Sequence, residues 1–126
     1  LIIETITIDS ALHITLEDQT RHYFGGYFHV KVLAWCDIPL QQSYFENAAE
    51  YRCAVAKMGA SVRFKRVLEK MAVPESGIEP VRSQLIKAFR ETAEVYLSNA
   101  DFAPGFVRSE YQKSVKTPSQ IRNPRA

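Results

Sequence analysis

The chain is poor in the residues that staple or ligate small folds. Among its 126 residues are two cysteines, Cys36 and Cys53, seventeen positions apart and without a Cys-x-x-Cys spacing. Neither a zinc site nor a redox dithiol is signalled, and two buried free thiols are expected. Glycine is also scarce, five in all, and only Gly25-Gly26 are adjacent, so no glycine-rich phosphate loop can be drawn. There is no Gly-x-Ser-x-Gly, Gly-x-Gly-x-x-Gly or His-Glu-x-x-His, which removes the usual signatures of hydrolases, dinucleotide enzymes and zinc peptidases. Apolar runs fall well short of the roughly 20 residues that a membrane span needs. No basic-then-apolar leader opens the chain, and a cytoplasmic protein without membrane contact is expected.

What is present is average in amount and uneven in placement. Hydrophobic residues make up 46%, enough for one packed core, and the fourteen aromatics (seven Phe, six Tyr, one Trp) argue against disorder. The formal charge of +2 hides a split. Residues 1–105 hold 11 Lys and Arg against 13 Asp and Glu, whereas residues 106–126 hold five against one. That basic stretch carries Pro118 and Pro124 and no obvious apolar period, so 106–126 is expected to be a flexible tail on a single α+β domain formed by 1–105.

Hydrophobic periodicity then places the elements. Residues 2–9 are β-branched and 11–17 alternate with Leu12, Ile14 and Leu16 on one side, which predicts a hairpin turning at Asp9-Ser10. The run 27–38 is the longest strand signal. Its even positions, Phe28, Val30, Val32, Ala34, Cys36 and Ile38, form a core face, and Pro39 closes it. A helix over 45–58 is predicted from the stripe Phe45, Ala48, Ala49, Cys53 and Ala56, with Gly59 ending it. Residues 61–72 fit both periods and are read as a short strand at 61–66 running into a helical turn. The clearest helix is 78–97, where Ile78, Val81, Leu85, Phe89, Ala93 and Tyr96 make a stripe. Ser76 and Glu79 have capping-box spacing at its start, Asn99 suits a left-handed cap at its end, and 101–106 reads as a turn. The expected fold class is α+β: a mainly antiparallel sheet of three to four strands on one long amphipathic helix, with a second, shorter helix.

The histidines are the first candidates for chemistry. His13, His22 and His29 are spaced by nine and seven, which matches no ligand motif, so neither a metal nor another cofactor is expected. A His/carboxylate site assembled from distant segments, such as His29 and Asp37 with Tyr23, is the enzymatic alternative. The segment 21–32 mixes rings and cations around Gly25-Gly26 and partly follows the aromatic strand of RNA-recognition domains. Gly26, Tyr27 and Val30 fit that pattern, while Phe28, His29 and Val32 depart from it. With the basic tail, this makes nucleic-acid binding a second alternative. A helical hairpin over 64–86 accounts better for the helix-turn-helix spacing there, because Glu75 and Glu79 would repel phosphate.

The odd positions of 27–38 are the remaining candidate. Tyr27, His29, Leu33 and Trp35 share one face, and unless the helix at 45–58 covers it they form an apolar contact surface. The expectation is a non-enzymatic binding or protein-interaction module that meets a protein partner or a second copy of itself through those four residues.

Overall fold

The computed structural model describes the backbone of residues 1–8 and 12–122, with side chains through residue 116. It is a mixed α+β chain of five strands and three helices: β1 (Ile2–Ile8), β2 (Leu12–Asp18), β3 (Arg21–Phe24), β4 (Tyr27–Pro39), α1 (Ala48–Met58), β5 (Ser61–Pro74), α2 (Ile78–Leu97) and α3 (Phe102–Arg122). The predicted turn at Asp9-Ser10 lies outside the described residues. Contacts divide the chain into two compact units, one formed by Leu1–Cys36 and Phe64–Ser98, the other by Asp37–Arg63 and the chain from Asn99 onward. Among the described residues, no helix is long and apolar enough to cross a membrane.

The first unit is built on an antiparallel sheet. β1 pairs with β2 as predicted, Ile6 opposite Ile14 and Ile8 opposite Leu12. β2 and β3 run in one register along the same neighbour: Asp18 lies opposite Val32 of β4, and Arg21, three residues further on, lies opposite His29. They therefore act as one long row, interrupted where the Asp18 side chain accepts a hydrogen bond from the Thr20 backbone N–H at 3.0 Å. β5 also pairs with β4. The sheet thus has five strands where three to four were expected, because the polar stretch Asp18–Arg21 splits one row into two.

Strict alternation decides which face is buried. Val30, Val32, Ala34 and Cys36 on β4 are fully buried with Ile14 and Leu16 of β2, each large aliphatic contributing roughly 1.5–3 kcal/mol. α2 lies on that even face, and its bounds are those its apolar stripe predicts, with Phe89, Ala93 and Leu97 buried. Arg82 bridges to Asp18 of β2 at 3.1 Å and Arg90 bonds Glu4 of β1. The two arginines are eight residues apart, roughly 12 Å of helix, so they pin α2 at two points along its length. Further on, Tyr96 meets the ring of Phe64 on β5 edge-on at 6.4 Å. The Ser76/Glu79 capping box does not form. A single turn of 3-10 helix, Glu75–Gly77, leads into α2, whose N-cap is Gly77 without a side-chain bond.

β5 corrects the expectation for 61–72. It is one strand of fourteen residues with no helical turn, and the apparent helical spacing of Phe64, Val67, Leu68 and Met71 is incidental. Only Phe64 and Val73 are buried on it. Ala72 takes a left-handed φ of 57°, which costs a residue with a Cβ roughly 1–2 kcal/mol and breaks the alternation just before the buried Val73.

In the second unit, Asn47 caps α1 by accepting from the Glu50 N–H at 2.8 Å, and Gly59 ends it with φ 87°. Its phase differs from the one predicted. Ala54 is buried while Ala49, Cys53 and Ala56 face solvent, because Phe45, which anchored the predicted stripe, lies in extended backbone before the helix starts. Cys53 is accordingly an exposed thiol, not a buried one, while Cys36 is buried as expected. The C-cap of α2 is Ser98, in the right-handed region, and the Asn99 side chain instead accepts from the Asp101 N–H at 2.8 Å. The stretch 101–106, read as a turn, leads straight into α3, and residues 106–122, expected to lack regular structure, are helical. Pro104 falls in the first turn, where proline is tolerated. Val107 is fully buried and Tyr111, one turn on, meets Phe45 edge-on at 5.7 Å, a spacing that the prolines of the stretch obscure.

Candidate functional site: the outer face of the sheet

With α2 on the even side, the odd positions of β4 face away from it. Residues directly opposite one another on paired strands share a face. Trp35 is matched by Thr15, Leu33 by Glu17, His29 by Arg21 and Tyr27 by Phe24. From β5, Glu69 reaches this face: the His29 Nε2–H donates to its Oε1 at 2.7 Å. Val67, Met71 and Lys65 lie two and four residues from Glu69 and so share its side of β5.

All four sequence-predicted residues are on one face, but they differ in access. Tyr27 is 48% exposed, Leu33 and Trp35 are half-buried, and His29 is buried. His29 is closed off by Glu69, forty positions away in sequence. The Trp35 indole N–H donates to Glu17 at 2.9 Å, so that side chain is held in place along the sheet.

Three residues unremarked in the strand pattern complete the surface. Gly25 takes φ 57° at the tip of the β3–β4 hairpin, a conformation glycine adopts without strain. Just before it, Tyr23 is the extra residue of a bulge, since His22 pairs with Phe28 and Phe24 with Tyr27. His22 folds back on the hairpin, donating to the Gly25 carbonyl and meeting Phe28 edge-on at 5.4 Å. Phe24 is left 74% exposed and Tyr23 54% exposed, with Met71 of β5 also open. An aromatic residue on each side of a Gly-Gly pair was the available signal, because the last residues of a hairpin extend beyond what a covering helix can reach.

Charge on this face is mixed, with cations in slight excess. The acids are engaged within the protein, Glu17 by Trp35 and Glu69 by His29. Arg21, Lys31 and Lys65 make no side-chain ion pair among the described residues. In the second unit Asp37 is likewise engaged: Arg63 donates to both its oxygens at 2.8 and 3.1 Å, and that hydrogen bonding, with the guanidinium charge, holds the carboxyl below its ordinary value against a smaller effect of burial.

His29 is bonded to Glu69 and Asp37 to Arg63. His13 lies 3.2 Å from the Thr7 hydroxyl. Among the described residues no cluster of three His, Cys, Asp or Glu side chains could hold a metal ion. Neither of two open recesses contains histidine: one of about 540 Å³ in the second unit is lined by Met58, Ser61, Arg63, Glu110, Lys113 and neighbours, and one of about 250 Å³ in the first by Glu4, Ser83, Ile86, Lys87 and Arg90.

The fold and this face define an α+β protein with an antiparallel sheet covered by a helix on one side and carrying aromatic and basic residues on the other. No protein-family model, curated protein or solved structure matches the chain.

Proposed function

We propose that the protein is a non-enzymatic binding module whose contact surface is the aromatic end of the outer sheet face, centred on Phe24 and Tyr27. One observation carries the reading: a phenylalanine 74% exposed, directly opposite a half-exposed tyrosine, on a hydrogen-bonded hairpin of the sheet. Large apolar side chains left in water on a regular element gain roughly 1.5–3 kcal/mol each when a partner covers them. Of the four residues expected from sequence, Tyr27 belongs to this centre. Leu33 and Trp35 extend the surface as partly exposed neighbours, and His29 supports it from beneath.

Residues kept for contact contribute little to the fold. Phe24→Ser and Tyr27→Ser are therefore expected to shift the thermal midpoint by less than about 2 °C while shortening retention on a mild hydrophobic-interaction column. A loss of about 5 °C or more for Phe24→Ser would show that the ring packs inside the protein, and the reading would fall.

A further inference from the structure

We infer that the outer face binds single-stranded nucleic acid, its bases stacking on Phe24 and Tyr27 and its phosphates lying along Arg21, Lys31 and Lys65. The inference rests on the binding-module reading and names the partner. Three observations favour this occupant. The exposed rings lie on adjacent antiparallel rows, and a base can stack on any ring face regardless of sequence. The cations are distributed over three neighbouring strands, with Arg21 on β3, Lys31 on β4 and Lys65 on β5, so a chain crossing the sheet meets positive charge at each row. On the same face one oxygen of Glu69 accepts from His29 and one of Glu17 from Trp35; both carboxylates keep their charge, so the three cations leave this face with a small net positive charge.

A duplex would be a poor fit, because its bases are already stacked and it offers no π-face to Phe24. A peptide would use the rings but has no reason to follow three spaced cations. Sequence preference is expected to be weak, since ring stacking and phosphate contacts tolerate any base; the buried His29 is committed to Glu69.

The test is fluorescence anisotropy of the intact protein with labelled twelve-residue oligo-dT and oligo-U, against a blunt duplex of equal length. Single strands should bind and the duplex bind at least about tenfold more weakly. Three phosphate contacts predict a slope of log K against log salt near −2, and Lys65→Gln should reduce it by about 0.7. Phe24→Ala and Tyr27→Ala should each weaken binding about tenfold, with the thermal midpoint unchanged. Equal affinity for the duplex, or no binding at low salt, overturns the inference. Sedimentation with phosphatidylglycerol vesicles, or a Phe24-dependent increase in solution mass, without oligonucleotide binding would overturn it too. Either of those would assign the same surface to a membrane or to a second copy and leave the binding-module reading standing, which is instead lost if Phe24 proves to be structural.

Discussion

Replacing Arg82 by Met tests how α2 is held on the sheet. The Arg82 side chain is 16% exposed and joins Asp18, 21% exposed, at 3.1 Å and Glu79, 80% exposed, at 2.6 Å. The Glu79 arm is a surface pair worth a few tenths of a kcal/mol. The Asp18 arm is partly shielded, and a charge-assisted hydrogen bond there is worth roughly 1.5–3 kcal/mol before the cost of holding the groups out of water. Against this stands the Arg82 Nε, buried with no partner among the described residues, whose penalty methionine would remove. The net loss for Arg82→Met is therefore about 1–2 kcal/mol, a fall of roughly 3–8 °C in thermal midpoint for a chain of this size. pH separates pairing from packing. Burial raises the Asp18 carboxyl, but the hydrogen bonds from the Thr20 side chain and backbone and the charge of Arg82 outweigh it, so its folded value lies below the ordinary one. A carboxyl lowered on folding stabilises the protein above its unfolded pKa, near 3.9, and that contribution is lost as pH falls through the folded value. Urea unfolding of wild type and variant should show the full difference at pH 7 and a shrinking one below about pH 4, and Asp18→Asn should reproduce the trend. A gap unchanged from pH 7 to pH 3 would mean that the arginine acts through its aliphatic stem, and the ion-pair argument would be refuted.

Two further outcomes follow from the second unit and the core. In native protein one thiol, Cys53, should react rapidly with a disulfide reagent, and the other, Cys36, only on unfolding; two fast thiols would contradict the burial of β4. Gly59→Ala should cost about 1–3 kcal/mol by chemical denaturation, because φ 87° with ψ −166° is a region essentially confined to glycine, although a Cβ there would meet nothing within 4 Å. A neutral substitution would show that the end of α1 relaxes freely.

How far these features could be read from sequence depended on whether a pattern was closed locally. α2 was legible in its bounds because its stripe, from Ile78 to Tyr96, is complete within the helix and flanked by polar positions. The even face of β4 was legible for the same reason. α1 was mis-phased because Phe45 is apolar and well spaced yet belongs to the preceding extended segment, and α3 was missed because Pro104 and Pro118 mask the spacing of Val107 and Tyr111. For the site, the odd row of β4 could be named, but its division into open Tyr27 and closed His29 could not. That division is set by Glu69, whose strand has no local reason to place a carboxylate there and whose partner is forty residues away.

The same non-local pairing bears on what charge can say about partners. Residues 1–105 carry a small excess of acid, which taken as a total would discourage a polyanion. Electrostatic attraction at physiological salt acts over roughly 8–10 Å, however, so the relevant quantity is the net charge of one face. On the outer face the two nearest carboxylates are turned to an imidazole and an indole of the protein itself, whereas Arg21, Lys31 and Lys65 are not turned to any carboxylate among the described residues. Breaking one of those internal bonds should weaken the surface without touching a ligand: in Trp35→Phe, Glu17 loses its donor and becomes free to compete for a neighbouring cation. Oligonucleotide affinity in that variant should fall about two- to fivefold at low salt and converge with wild type as salt rises, as expected for a change in local charge. An equal fall at all salt concentrations would point instead to Trp35 acting as a stacking surface in its own right.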